Sequence, residues 1–189
     1  PPTESPEELY QKGEEYYLAK NYTEAVRCYR KAAEQGNASA QFCLGYCYEY
    51  GKGMEKNFTE AAGWYRKAAE QGNAAAQYNL AVFYEKGRGV KENFSEAVRW
   101  HRKAAEQGYA SAMNNLAVCY YIGRGVDQNF TEAAKLFRKA AEQGNALAQC
   151  NLGVCYFLGQ GVAENKKEAQ MWFRKAYENG CSEAKKYLE

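Results

Sequence analysis

The sequence predicts an all-α solenoid of stacked antiparallel helix pairs, on the basis of three observations. The pentapeptide Ala-Ala-Glu-Gln-Gly begins at residues 32, 68, 104 and 140, which is a period of 36 residues. Each period contains two segments whose apolar residues have the three- and four-residue spacing of a helix face. Asn and Gly recur at the ends of these segments, where they can cap helices. A fixed period of about 20 to 50 residues is typical of solenoids and repeat arrays.

Helix A, the first helix of each period, is predicted at residues 38–50 and at the equivalent positions. Its apolar face carries Ala40, Leu44 and Cys47. Helix A is predicted to end at the first glycine of a Gly-x-Gly pair, since glycine adopts left-handed conformations at little steric cost. Because these pairs lack the further residues of nucleotide-binding loops, we interpret them as connectors. They begin at Gly51, Gly87, Gly123 and Gly159.

Helix B, the second helix, follows an Asn that has a Glu three residues later. This spacing predicts a capping box, in which the Asn side chain and the Glu side chain each accept a hydrogen bond from a backbone N–H of the first turn. Helix B is then predicted to end at a glycine. The Asn/Glu pairs are Asn21/Glu24, Asn57/Glu60, Asn93/Glu96, Asn129/Glu132 and Asn165/Glu168, and the glycines are Gly36, Gly72, Gly108, Gly144 and Gly180.

The seven cysteines do not recur as one pair in each period, which predicts reduced thiols. Cys47, Cys119 and Cys155 share one helix A position, and we interpret them as small buried apolar residues. Reduced thiols favour a cytoplasmic location, with a secreted or periplasmic location as the alternative.

Composition argues against several function classes. The 25 Lys and Arg residues and 23 Asp and Glu residues give a net charge of +2 and are interleaved, so no nucleic-acid partner is expected. No apolar run approaches the roughly 20 residues of a membrane-spanning helix. The one histidine, His101, has no catalytic triad or metal-ligand pattern around it. We therefore predict that the chain is not an enzyme and holds no metal or cofactor.

The repeat resembles the Sel1-like branch of the tetratricopeptide repeat (TPR) superfamily. The resemblance lies in Ala-x-Ala-x-x-x-Leu-Gly-x-x-Tyr-x-x-Gly-x-Gly-Val followed by Ala-x-x-Trp-x-x-Lys-Ala-Ala-x-x-Gly. Residues 6–37 lack the Gly-x-Gly insertion and resemble a plain TPR helix pair. The predicted segments are an N-terminal linker at 1–5, the TPR-like pair at 6–37, Sel1-like repeats at 38–73, 74–109, 110–145 and 146–181, and a capping helix or truncated repeat at 182–189.

The resemblance implies a right-handed superhelix in which helix A lines the concave surface and binds a partner. Asn79, Asn115 and Asn151 share one helix A position, and their amides can pair with the backbone of an extended peptide. Alternatively, these amides bond to the neighbouring helix and keep the repeats in register. Glu49 and Cys150 are also expected to be exposed. The predicted binding residues are Tyr46, Tyr50, Tyr78, Asn79, Asn114, Asn115, Tyr121, Asn151 and Phe157.

The predicted function is a non-catalytic scaffold or adaptor for a protein or extended peptide, as a monomer or with weak self-association through the solenoid ends. Tyr10 and Glu14 stand where TPR modules that grip a terminal carboxylate need Lys and Asn, which argues against that ligand. The first alternative is a self-assembling or spacer solenoid. A more remote one is a β-lactam-interacting protein, since the resemblance extends to Sel1-like proteins linked with β-lactam binding.

Overall fold

The fold is all-α. In a computed structural model of the chain, residues 3–188 are described, and they form ten α-helices of 13 residues each and a final 3-10 helix. The predicted fold class is thereby confirmed. Residues 1, 2 and 189, at the outer ends of the predicted linker and of the predicted C-terminal segment, lie outside the described residues.

The first of two compact units ends at Asn93. In this unit the A helices alternate with the B helices, and each helix packs against the next. The core is formed by apolar side chains from both kinds of helix, including Leu9, Tyr29 and Leu44. The A helices are α1 (Pro6–Leu18), α3 (Ala38–Tyr50) and α5 (Ala74–Lys86), and the B helices are α2 (Tyr22–Glu34) and α4 (Phe58–Glu70).

The second unit begins at Phe94, so the predicted repeat 74–109 is divided between the two units. The final 3-10 helix (Ser182–Tyr187) packs on the last α-helix (Lys166–Glu178), with the Tyr187 ring stacked on Phe173 at 4.5 Å between centroids. The B helices are α6 (Phe94–Glu106), α8 (Phe130–Glu142) and α10 (Lys166–Glu178), and the A helices are α7 (Ala110–Ile122) and α9 (Ala146–Leu158).

Asn caps begin four of the B helices as predicted, but the prediction that the Glu side chain accepts from the Asn backbone N–H is wrong. The Asn57 side chain accepts from the Glu60 N–H at 3.0 Å, and Asn21, Asn129 and Asn165 act alike. The Asn57 backbone N–H, however, donates to the Tyr48 carbonyl at 2.9 Å. That donor is therefore satisfied, and the Glu has no partner to reach back to. The glycine ends are confirmed, since all nine predicted end glycines have positive φ.

An arginine of each of the first four B helices binds a tyrosine of the next A helix within the same unit. The Arg30 guanidinium donates to the Tyr48 hydroxyl at 2.9 Å and lies 5.6 Å from the centre of that ring. The sequence predicted these tyrosines as packing residues but missed this bond. The signal was available, because Arg recurs at the same period. The equivalent pairs are Arg66 with Tyr84, Arg102 with Tyr120, and Arg138 with Tyr156.

Candidate partner-binding surface

The A helices of the first unit present three aromatic residues and one amide. The Tyr46 and Tyr50 rings lie 4.5 Å apart between centroids, and Tyr50 is 54% exposed. Asn79 is half-buried beside the Tyr65 hydroxyl, and Tyr78 is also half-buried. These four predicted residues therefore retain accessible surface, Tyr50 most of all.

The expectation that Glu49 is exposed is wrong. This side chain is buried, and its carboxylate has two partners. The Tyr65 hydroxyl donates to one oxygen at 2.6 Å, and Arg88 lies 3.8 Å from the other oxygen. A buried carboxylate requires such partners, because removing it from water is costly. Burial raises the pKa of Tyr65, and the hydrogen bond to Glu49 raises it further. Glu49 thus holds α3 to α4 and to the connector after α5, and is unavailable to a partner.

The expectation that Asn114 is exposed is also wrong. Its side chain is buried, and its Oδ1 accepts from the Nδ2 of Asn151 at 3.0 Å. Its own Nδ2 donates to the Oδ1 of Asn115 at 3.4 Å. This bond between α7 and α9 is of the kind that the register alternative predicted. The exposure expected for Cys150 fails too, because Cys150 packs with Cys181 and Phe173 in an apolar cluster.

Two amide groups of the second unit still have bonding capacity. Within residues 3–188, neither the Nδ2 of Asn115 nor the Oδ1 of Asn151 has a hydrogen-bond partner, and both side chains are half-exposed. On the same A helices, Phe157 is 37% exposed, and the Tyr121 hydroxyl donates to Gln160. The Tyr121 ring contacts Phe130 at 5.1 Å between centroids, which fixes its orientation.

The Asn114–Asn151 bond is expected to stabilise the packing of α7 on α9. In a double-mutant cycle of Asn114→Ala and Asn151→Ala, we expect a coupling of about 1 kcal/mol in the free energy of unfolding, the usual net value of such a bond. Urea unfolding of the four proteins measures it. Asn129→Ala with Asn151→Ala is the control cycle, since Asn129 caps α8, and additive effects are expected there. Additivity in both cycles would contradict the register role.

The three thiols that were predicted to be buried are buried. Cys47, Cys119 and Cys155 are each less than 5% exposed, and all seven cysteines are free. Burial raises the pKa of the Cys155 thiol to about 11. Residues 3–188 contain no cluster of three or more His, Cys, Asp or Glu side chains arranged to hold a metal ion. None of the described helices combines the length and the hydropathy needed to cross a membrane.

One Ser-x-x-Lys sequence, the pattern of the β-lactam-reactive serine, stands at Ser182 to Lys185. Both side chains are exposed on the final 3-10 helix. A reactive serine of this type needs a shaped site that positions its base and binds the oxyanion. The exposed position of this pair gives the β-lactam alternative no support.

Comparison with known proteins identifies the repeat. The family model described as Sel1 repeat matches residues 8–37, 38–73, 74–109, 110–145 and 146–181. The first of these segments is the one that resembles a plain TPR pair in sequence. A comparison with curated protein sequences gives no match.

Solved structures agree with this assignment. A Sel1 repeat protein from Oxalobacter formigenes is 37% identical with a TM-score of 0.92, over 97% of this chain and 75% of that one. A protective antigen of uropathogenic Escherichia coli with an SLR fold is 37% identical with a TM-score of 0.91, over 97% of this chain and 40% of that one. An immunity protein from Pseudomonas aeruginosa is 25% identical with a TM-score of 0.59, over 97% and 69% of the two chains.

Sel1 repeat proteins are generally protein-interaction scaffolds, and their fold is typically non-catalytic. The described helix pairs, the five matched segments and the 37% identity to a solved Sel1 repeat protein together establish the assignment. The chain belongs to the Sel1 repeat family.

Proposed function

We propose that the chain is a non-catalytic scaffold that binds a protein or an extended peptide on its A helices. The site, called the helix A surface below, is proposed for each unit separately. Asn114 is omitted from it because that side chain is buried. The helix A surface consists of Tyr46, Tyr50, Tyr78 and Asn79 in the first unit and Asn115, Tyr121, Asn151 and Phe157 in the second.

The observation that carries the proposal is that the same helices present both exposed aromatic rings and amide groups that still lack a hydrogen-bond partner. An extended peptide presents N–H and C=O groups alternately. The Oδ1 of Asn151 can accept from such an N–H, and the Nδ2 of Asn115 can donate to such a C=O. Tyr and Phe rings are enriched at protein interfaces, since they bury a large apolar area while losing few rotatable bonds. In the second unit, Phe157 offers such an exposed ring on α9, the helix that also carries Asn151.

The register bond of Asn151 is compatible with this role. Its Nδ2 is used by Asn114, whereas its Oδ1 has no partner within the described part of the chain. One amide can therefore fix the packing of α7 on α9 and also accept from a ligand. We propose that the internal bond orients this acceptor, which reduces the entropy lost on binding.

The test is the recovery of cross-linked partners from a lysate, with the full chain as bait. We expect a variant with Tyr50→Ser and Phe157→Ser to lose most of the proteins that the unaltered chain recovers, because interface aromatics contribute about 2 kcal/mol or more each when they are hot spots. Helicity should be retained, since both rings lie at the surface, and any fall in the unfolding midpoint should match that of the control variant described next.

The matched control is Met171→Ser with Tyr177→Ser. These two residues of α10 are 38% and 44% exposed, much like the pair they control for, but they lie on a B helix. The control should recover the same proteins as the unaltered chain. Equal loss in both variants would contradict a binding surface on the A helices. The experiment could instead recover only further copies of this chain, with a mass in light scattering that rises with concentration. That result would contradict the adaptor role and support the self-assembling solenoid.

A further inference from the structure

The first unit contains a cavity of about 270 Å³ on the side of the A helices. Ligand pockets generally span about 300 to 1,000 Å³, so this volume suits one side chain of a partner better than a cofactor. Helices α1 and α3 contribute most of its walls, and α2 contributes its buried floor. The lining residues are Glu14, Tyr17, Tyr29, Phe42, Cys43 and Tyr46.

Four of the six lining side chains are aromatic, and neighbouring rings hold them in place. The Tyr17 ring lies 5.0 Å from Tyr22, and the Phe42 ring lies 5.7 Å from Tyr65, between centroids. Tyr29 is 1% exposed, and its hydroxyl donates to Glu14. Aromatic ring faces carry partial negative charge and attract cations, and rings fixed in advance lose little freedom when a cation enters.

Glu14 supplies the negative charge of this pocket. Besides the Tyr29 hydroxyl, its carboxylate accepts from the Cys43 thiol at 3.7 Å. No lysine or arginine among residues 3–188 forms an ion pair with it. Burial raises the pKa of Tyr17 to about 12. Burial is also the larger cause, and the nearby charge of Glu14 the smaller one, that raises the pKa of Cys43 to about 12. At neutral pH the phenol and the thiol are therefore uncharged.

We infer that this pocket, formed by Glu14 and four aromatic rings in the first unit, receives the side-chain ammonium of a lysine from the bound protein. The inference rests on the function proposed above and adds one chemical requirement to the partner. An ammonium on a four-carbon stem places its methylenes along the rings and its charge near the carboxylate. A peptide carboxylate would be repelled by Glu14, which agrees with the argument from the sequence against a terminal-carboxylate ligand.

The probes are two N-acetyl N-methylamides, of lysine and of norleucine, which has the same stem without the ammonium. Each is titrated into the full chain labelled with ¹⁵N, and amide shifts are followed by NMR. We expect millimolar binding of the lysine probe with shifts at residues lining the pocket, and binding of the norleucine probe at least about tenfold weaker. The N-acetyl N-methylamide of arginine is the third probe. Tighter binding of the arginine probe would overturn the choice of an ammonium, and absence of shifts with the lysine probe would overturn the pocket itself.

Glu14→Gln removes the charge and keeps the shape and an acceptor oxygen. We expect this variant to bind the lysine probe about tenfold more weakly, since it loses the charged partner of the ammonium. Glu15→Gln is the control, because Glu15 is the adjacent exposed residue of α1 and is not part of the lining, and it should bind normally. Should Glu14→Gln fail to fold, Tyr46→Leu removes one ring without touching the carboxylate and should weaken binding about fivefold. Unchanged probe affinity in a folded variant overturns the inference.

The proposed function and this inference fail in different ways. If the lysine probe gives no shifts while the lysate experiment still depends on Tyr50 and Phe157, the scaffold role stands and the lysine requirement is wrong. If the probe binds as described and no protein is recovered on the helix A surface, the scaffold role is wrong and the pocket remains a lysine-binding cavity.

Discussion

Gly161→Ala is expected to lower the free energy of unfolding by about 2 to 5 kcal/mol. Two costs add at this position. Gly161 has φ of +73°, a left-handed conformation that costs an L-residue about 1 to 2 kcal/mol. An added Cβ would also stand 2.0 Å from the Phe130 carbonyl oxygen, so backbone must move, which typically costs about 1 to 3 kcal/mol. Urea unfolding followed by circular dichroism measures the change.

Gly144→Ala is the matched control for this prediction. Gly144 has φ of +91°, but nothing lies within 4 Å of an added Cβ. We therefore expect only the conformational cost of about 1 to 2 kcal/mol. The difference between the two variants isolates the close approach of the connector to α8. Equal destabilisation by both would mean that the connector can move away from α8 freely.

The protein is expected to lose stability steeply above pH 9. Burial raises the pKa of Cys47 to about 12 and of Cys155 to about 11, from an ordinary value of 9.0. Between pH 9 and pH 11 the unfolded chain has released these protons while the folded chain retains them. The folded state therefore binds more protons in this window, and its stability falls as pH rises, by about 1.4 kcal/mol per pH unit for each thiol. The two thiols together give a loss on the order of 5 kcal/mol by pH 11.

Urea unfolding at pH 8, 9, 10 and 11 under reducing conditions measures this dependence. The variant Cys47→Ala with Cys155→Ala should be less stable at pH 8, because two buried side chains are truncated. Its stability should nevertheless fall less steeply with pH. The slope should correspond to a difference in bound protons between the folded and unfolded states that is smaller by close to two. Cys43, whose pKa burial raises to about 12, and Tyr29 and Tyr65, whose pKa values burial also raises, leave a residual slope in the variant. Parallel pH profiles for the two proteins would show that these thiols ionise equally in both states.

The repeat architecture could be predicted from the sequence because local rules recur at a fixed spacing. Asn57 caps helix B and Gly51 ends helix A through interactions within a few residues, which a linear pattern records. The burial of Cys47 also followed from its helical face. Such features depend on neighbours in the chain, and the periodic sequence states them several times over.

The binding surface was less predictable because exposure on an A helix depends on which side chain lies opposite. Glu49 is buried since Tyr65 and Arg88 happen to face it, whereas the equivalent residue Tyr121 pairs with Gln160. Asn114 is buried since Asn151 reaches it from the next A helix. These partners lie 16 to 39 residues away in the sequence. A transfer of exposure from one repeat to another therefore fails wherever the partner residue changes.

The second glycine of each Gly-x-Gly pair, three residues after the A helix ends, has a consequence for how such a chain can change in length. In every Gly-x-Gly connector, a Cβ added to this glycine would lie between 2.0 and 2.4 Å from a carbonyl oxygen. That oxygen belongs to the first residue of the preceding B helix. Adding or removing a single residue just before it would place a side chain at that contact. Whole repeats, in contrast, can be duplicated or exchanged without altering the geometry of any connector. The molecule is thus built to tolerate variation in modules of thirty-six residues and to resist it in single steps.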